Sequence, residues 1–257
     1  MKLFSRESGR GTPLIVLHGL FGSSDNWFTQ AKLLSDHYKI YSVDLRNHGQ
    51  SPHSDDFDYP VMVEDLKEFI QSKDIQHPSI IGHSMGGKAA MNFALAYPEN
   101  ISNLIIVDIA PKAYNLEHYT IAEGLKAIPL DRISSRNEAE EALSQHVPEP
   151  DVRQFLLKNL MRKADGGFTW KINLPVISDK LSNIGLDLQF SGKFEKPTLF
   201  IRGSRSKYIA DADWSRIKEI FPNAELKSMD TGHWVQAEKP QEFANEVIQW
   251  LKSKSTA

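Results

Sequence analysis

The 257-residue chain contains no cysteine. Disulfides, thiolate catalysis and cysteine-ligated metals are excluded at once. No window approaches 18 uninterrupted apolar residues, so no segment is expected to span a bilayer. The opening stretch, MKLFSRESGRGT, turns polar after four residues and lacks the apolar stretch of a secretory leader. Basic excess is also missing: 30 Lys and Arg against 33 Asp and Glu give a formal charge of -3, which argues against nucleic acid as the main partner. No histidine and carboxylate cluster has metal-ligand spacing, so neither a metal nor another cofactor is expected. There is no internal repeat, low-complexity tract or linker. These absences lead us to expect a soluble cytoplasmic protein, a monomer or small homo-oligomer, acting on a small molecule.

What is present is ordinary globular composition, 40% hydrophobic and 25% charged, in a chain long enough for one large α/β domain. The stretch that organises it is SIIGHSMGGKAAMNFALAYP, residues 79–98. Ile80 and Ile81 form an apolar run into Gly82-His83-Ser84-Met85-Gly86, and Met85, Ala89, Phe93 and Ala96 then recur at helical spacing. The order strand, sharp turn, helix makes Ser84 the centre of a nucleophile elbow. Glycines two residues before and two after the serine remove side chains that would collide with the neighbouring strand and helix. Because G-x-S-x-G arises by chance in roughly one chain of this length in ten, its flanks carry the argument.

The remaining chain supplies a doubly wound frame. Residues 2–12 suit an edge hairpin. Buried strands are expected at 14–17 and 104–107 and further strands at 39–43, 198–201 and 224–229, with helices over 27–35, 60–73, 211–221 and 240–252. Strand and helix alternate up to residue 111 and again from 191, which predicts a mostly parallel sheet. Between them, residues 112–190 break the rhythm with helical patterns, including Val152, Phe155, Leu156 and Leu160 on one face, and read as a helical cap inserted into a core of 1–111 and 191–257.

Serine needs a base, and the base a carboxylate. In a doubly wound sheet reactive groups gather at the carboxyl ends of strands. Of nine histidines, His233 alone follows the last strand and fits the chain order Ser, acid, His. For the acid, the turn after Gly203 offers Ser206 and no carboxylate before Asp211, whereas Asp108 ends the strand after the elbow helix. Asp108 is preferred, with Asp211, Asp213 and Asp230 as alternatives. Oxyanion donors are expected from the backbone of Met85 and from the loop after strand 14–17, where Leu20 is preferred over Phe21. Phe21, Trp27 and Trp234 flank these loops as candidate substrate-pocket walls, with a plain core role as the alternative. His18, His83, Asp44, Arg46 and His48 read as supports of the loops.

Taken together, the motifs HGLFGSSDNW, DLRNHGQS, GHSMGGKAAM, VDIAP and GHWVQAEKP resemble the α/β-hydrolase superfamily, and within it the YbfF-type bacterial esterases. The resemblance implies a serine carboxylesterase, with its acid after the strand following the elbow and a helical cap over the site. It points to hydrolysis of carboxylic esters, or acyl thioesters, through an acyl-Ser84 intermediate. The competing expectations are a perhydrolase or carbon-carbon bond hydrolase with the same triad, and a ligand sensor on a hydrolase fold.

Overall fold

The computed structural model describes residues 1–115, 118–164 and 166–254. In chain order the strands are β1 (Ser5–Ser8), β2 (Pro13–Leu17), β3 (Lys39–Val43), β4 (Ser79–His83), β5 (Asn103–Val107), β6 (Leu160–Arg162), β7 (Phe168–Trp170), β8 (Thr198–Gly203) and β9 (Ala224–Met229). The helices are α1 (Phe28–Leu34), α2 (Tyr59–Ser72), α3 (Met85–Ala96), α4 (His118–Ala127), α5 (Arg136–Ser144), α6 (Pro150–Leu157), α7 (Leu174–Asp179), α8 (Leu181–Gly185), α9 (Trp214–Ile220), α10 (Val235–Glu238) and α11 (Pro240–Lys254).

Seven strands form one sheet in the order β1-β3-β2-β4-β5-β8-β9, parallel throughout except for β1, which runs antiparallel to β3. The central strands β2, β4, β5 and β8 are buried almost throughout because both faces are covered, whereas the edge strands β1 and β9 are mixed and partly exposed. Leu14 and Val16 point to the side of Trp27, Leu34, Phe243 and Val247, and Ile15 and Leu17 to the side of α2 and α3. Residues 2–12 do not form the expected hairpin: β1 takes the open edge of β3, with Ser5 opposite Val43, and is not paired with β2. The helix expected from residue 27 is preceded by a 3₁₀ turn, Ser24–Trp27.

The chain winds outward in opposite directions from β2, toward β3 on one side and β4 on the other. At such a reversal, the loops leaving the two central strands diverge and open a crevice above their carboxyl ends. The loop after β2 and the elbow after β4 therefore face each other across it. Helix α3, packed beneath, is buried from Met85 to Ala94. Its two polar interior side chains consequently need partners. Lys88 Nζ donates to the carbonyls of Lys112 and Leu186, and Asn92 Oδ1 accepts from Gln189 N at 2.7 Å.

Between β5 and β8 lie α4 to α8. The segment is not wholly helical: β6 and β7 pair antiparallel, Leu160 opposite Trp170, after a turn in which Gly166 and Gly167 take φ of 95° and 74°. Alternation of Phe168 and Trp170, a period-2 signal only three residues long, was too brief to separate from the helical pattern around it. Among the described residues no helix is long and apolar enough to cross a membrane.

Candidate active site

Ser84 follows β4 directly and carries φ 53°, ψ -118°, while its N–H donates to Val107 O at 3.1 Å on the neighbouring strand. The close packing of the elbow explains its glycines. A Cβ on Gly82 would lie 2.3 Å from Gly86 O, and one on Gly86 would lie 2.5 Å from His18 O. Asp108 follows β5, and because His83 is paired with Val107 in the ladder, Ser84 and Asp108 leave adjacent strand ends side by side. Asp108 also has positive φ, 50°, as does Phe21 in the loop after β2, 59°. Such conformations cost a non-glycine residue of order 1–3 kcal/mol each and persist only where surrounding contacts enforce them.

Asp108 is fully buried, and its carboxylate is held from three directions. Oδ1 accepts from Gly203 N at 3.0 Å; Oδ2 accepts from Ser206 Oγ at 2.5 Å and lies 2.7 Å from His233 Nδ1. Asp211, Asp213 and Asp230 are occupied elsewhere, paired with Arg202, Lys112 and Arg205 respectively. The His233 ring is stacked on Tyr208, centroids 4.0 Å apart, and its backbone carbonyl accepts from His83 Nε2 at 2.9 Å. With Nδ1 turned to Asp108, Nε2 is the ring nitrogen left for chemistry.

The loop after β2 is held by two buried histidines. His18 Nδ1 donates to Gly19 O at 2.8 Å and its Nε2 accepts from Leu45 N at 3.0 Å. His48 Nδ1 donates to Arg46 O at 2.9 Å, and its Nε2 accepts from Phe21 N at 3.2 Å. Each ring must stay neutral to accept. Burial pushes the pKa values of His18 and His83 down, and that of His48 down to about 3, helped by the neighbouring His18. The Phe21 N–H is thus engaged, which disqualifies it as an oxyanion donor and leaves Leu20 as the candidate from this loop. The Met85 N–H, at the first position of α3, is one that helical bonding does not consume. Asp44 accepts from Ser24 N at 2.6 Å and Gln50 N at 2.8 Å, and Arg46 forks onto Asp65 at 2.7 and 3.0 Å, so both brace loops.

A cleft of about 320 Å³ opens above Ser84 and His233. Phe21, Trp27 and Trp234 all line it. Phe21 and Trp27 are otherwise buried, Trp27 packing on Phe243 at 6.0 Å, so each is both core and wall. From above, α6 brings Val152 and Phe155, the latter 5.5 Å from the Trp234 ring, and α4 brings His118 and Ile121. Sequence reasoning placed Val152 and Phe155 on one helical face without assigning them to a pocket, and it missed Tyr208 altogether. Nothing local marks a tyrosine as a stacking partner of a ring 25 residues later.

An elbow serine, a buried carboxylate on a histidine and a neutral-histidine-braced loop, all at the switch point of a parallel sheet, define an α/β hydrolase. The family described as the alpha/beta hydrolase fold matches residues 12–130. The sn-1-specific diacylglycerol lipase ABHD11 of Danio rerio is 41% identical over 95% of this chain and 80% of its own length. The esterase YbfF of Escherichia coli is 35% identical over 93% of each chain. A marine microorganism esterase of known structure superimposes with a TM-score of 0.94 at 43% identity, covering 96% of this chain and 98% of that one. The chain belongs to the α/β-hydrolase family, among its esterases, and is a carboxylic ester hydrolase.

Proposed function

We propose that ester hydrolysis here proceeds through an acyl-Ser84 intermediate served by Asp108 and His233. The observation that carries this reading is the 2.7 Å contact of Asp108 Oδ2 with His233 Nδ1, at a cleft that Ser84 and His233 both line. His233 Nε2 takes the Ser84 proton as Oγ attacks the ester carbon, and Asp108 fixes the tautomer and stabilises the imidazolium. The Leu20 and Met85 N–H groups receive the oxyanion. The bond to the alcohol oxygen then breaks as His233 returns the proton to it, and water repeats the sequence to release the carboxylic acid. Helices α4 and α6 of the inserted segment form the cap that, with Phe21, Trp27 and Trp234, lines the substrate cleft, and the substrate is a small acyl ester.

Stoichiometric labelling by a fluorophosphonate, mapped to Ser84 by peptide mass, together with a pre-steady-state burst on an activated ester, tests this. Labelling elsewhere, or full turnover by Ser84→Ala, would end it.

A further inference from the structure

The cleft is not the only space that reaches Ser84. A second cavity, of about 20 Å³, meets it and is lined by Met85, Lys88, Ile109, Tyr114, Ile184 and Tyr208, with Tyr59 at its wall. The two spaces share Leu20, Ser84 and His118, so Ser84 stands at the junction. Resting on the acyl-Ser84 reading, we infer that the small cavity takes the acyl group and the large cleft the alcohol, which makes the enzyme selective for acetyl and propionyl esters of bulky alcohols.

The assignment follows from where the proton must go. In the tetrahedral intermediate the ester carbon carries four substituents: Ser84 Oγ, the oxyanion, the alcohol oxygen and the acyl chain. Oγ is fixed by the elbow, and the oxyanion by Leu20 and Met85. The alcohol oxygen must lie within hydrogen-bond reach of His233 Nε2, which protonates it as it leaves. His233 and Trp234 line the large cleft and not the small cavity. The alcohol therefore occupies the cleft, and the acyl chain has the Met85 side left to it.

A volume near 20 Å³ is the room of about one water- or methyl-sized group. Its walls are also tied. Tyr59 Oη donates to Ile184 O at 2.8 Å, and Tyr114 Oη donates to Tyr208 O at 2.5 Å while accepting from Ala110 N at 2.8 Å. Lys88 Nζ holds the carbonyls of Lys112 and Leu186 together across the same wall. A longer chain would have to displace these hydrogen-bonded walls, which is costly, whereas a longer alcohol meets the larger, mainly apolar cleft. Each additional methylene that a pocket cannot seat lowers kcat/KM by about tenfold or more.

The test is a two-way substrate matrix on the intact enzyme. One arm keeps 4-nitrophenol and lengthens the acyl group from acetyl to octanoyl; the other keeps acetyl and enlarges the alcohol from methyl through phenyl to 1-naphthyl. We expect kcat/KM to fall about 100-fold or more between propionyl and hexanoyl, and to hold or rise along the alcohol arm. Ile184→Ala, which removes a wall methylene cluster without touching the backbone carbonyl that Tyr59 holds, should carry the acyl cut-off to pentanoyl. A flat or rising acyl arm in the wild-type enzyme would overturn the assignment whatever the variant does. If the burst and Ser84 labelling persist while the acyl arm is flat, only the subsite assignment fails; if they are absent with every ester, the acyl-Ser84 reading falls and takes this inference with it.

Discussion

Ser206 Oγ donates to Asp108 Oδ2, the same oxygen that faces His233 Nδ1, at 2.5 Å. The serine thus stands at the position, after β8, from which a carboxylate would approach the imidazole, and it serves the carboxylate that leaves β5 instead. Asp108→Asn should preserve the shape and favour the wrong imidazole tautomer, lowering kcat by about 10² to 10⁴ with little change in KM. Asp211→Asn and Asp213→Asn, whose carboxylates are paired with Arg202 and Lys112, should cost little. Steady-state kinetics on the three variants decides the matter, and near-normal kcat in Asp108→Asn would refute the assignment. Ser206→Ala, which leaves Asp108 two of its three contacts, should lower kcat by roughly tenfold at most.

Ser84 holds φ 53° against the cost of a Cβ in that region. Ser84→Gly should therefore raise stability by about 1 kcal/mol while abolishing turnover, because glycine relaxes the strain and removes the nucleophile together. Urea unfolding compared with Ser84→Ala, which keeps the Cβ, isolates the backbone contribution. Equal midpoints for the two variants would show that the elbow stores no such strain.

His48 should make the protein acid-sensitive. Its pKa falls from about 6.5 in the unfolded chain to about 3 in the folded one, so the unfolded state binds more protons between those values. The stability it contributes is fully present above about pH 6.5 and is lost progressively as pH falls toward 3, about 2–3 kcal/mol of it by pH 4.5. His18 and His83, also lowered by burial, add in the same direction. Denaturation midpoints at pH 7 and 4.5 should lie further apart for wild type than for His48→Gln, whose amide oxygen still accepts from Phe21 N but does not titrate. Identical pH slopes would contradict the argument.

Gly82→Ala should prevent normal folding or cost more than about 4 kcal/mol, since its Cβ would sit 2.3 Å from Gly86 O, a backbone atom fixed by the elbow. Gly192→Ala is the comparison. That glycine has positive φ, 123°, which Gly82 does not, and nothing lies within 4 Å of the added methyl, so only its backbone preference is lost. Thermal unfolding of the pair separates collision from conformational strain.

Much of this protein is written locally. Continuous apolar runs such as Leu14-Ile15-Val16-Leu17 and Leu104-Ile105-Ile106-Val107 specify strands buried on both faces, and Gly82-His83-Ser84-Met85-Gly86 specifies the elbow, because the requirement for missing side chains lies within a few residues. Asp108 is preferred over Asp211 in the sequence because it ends the strand after the elbow helix while no carboxylate lies between Gly203 and Asp211, and the register of β4 against β5 sets Ser84 and Asp108 side by side. What depended on separation through space was not legible. The stacking of Tyr208 on His233, the capture of the Phe21 N–H by His48, the pairing of β6 with β7 and the small cavity lined by Tyr59, Tyr114 and Lys88 all join residues whose local sequence carries no mark of the partner. Sequence determines which groups sit at the ends of strands, since periodicity and glycine placement act over a turn or two of chain; only the packed sheet decides which groups meet, how large the space between them is, and which loop N–H is already bonded to a side chain.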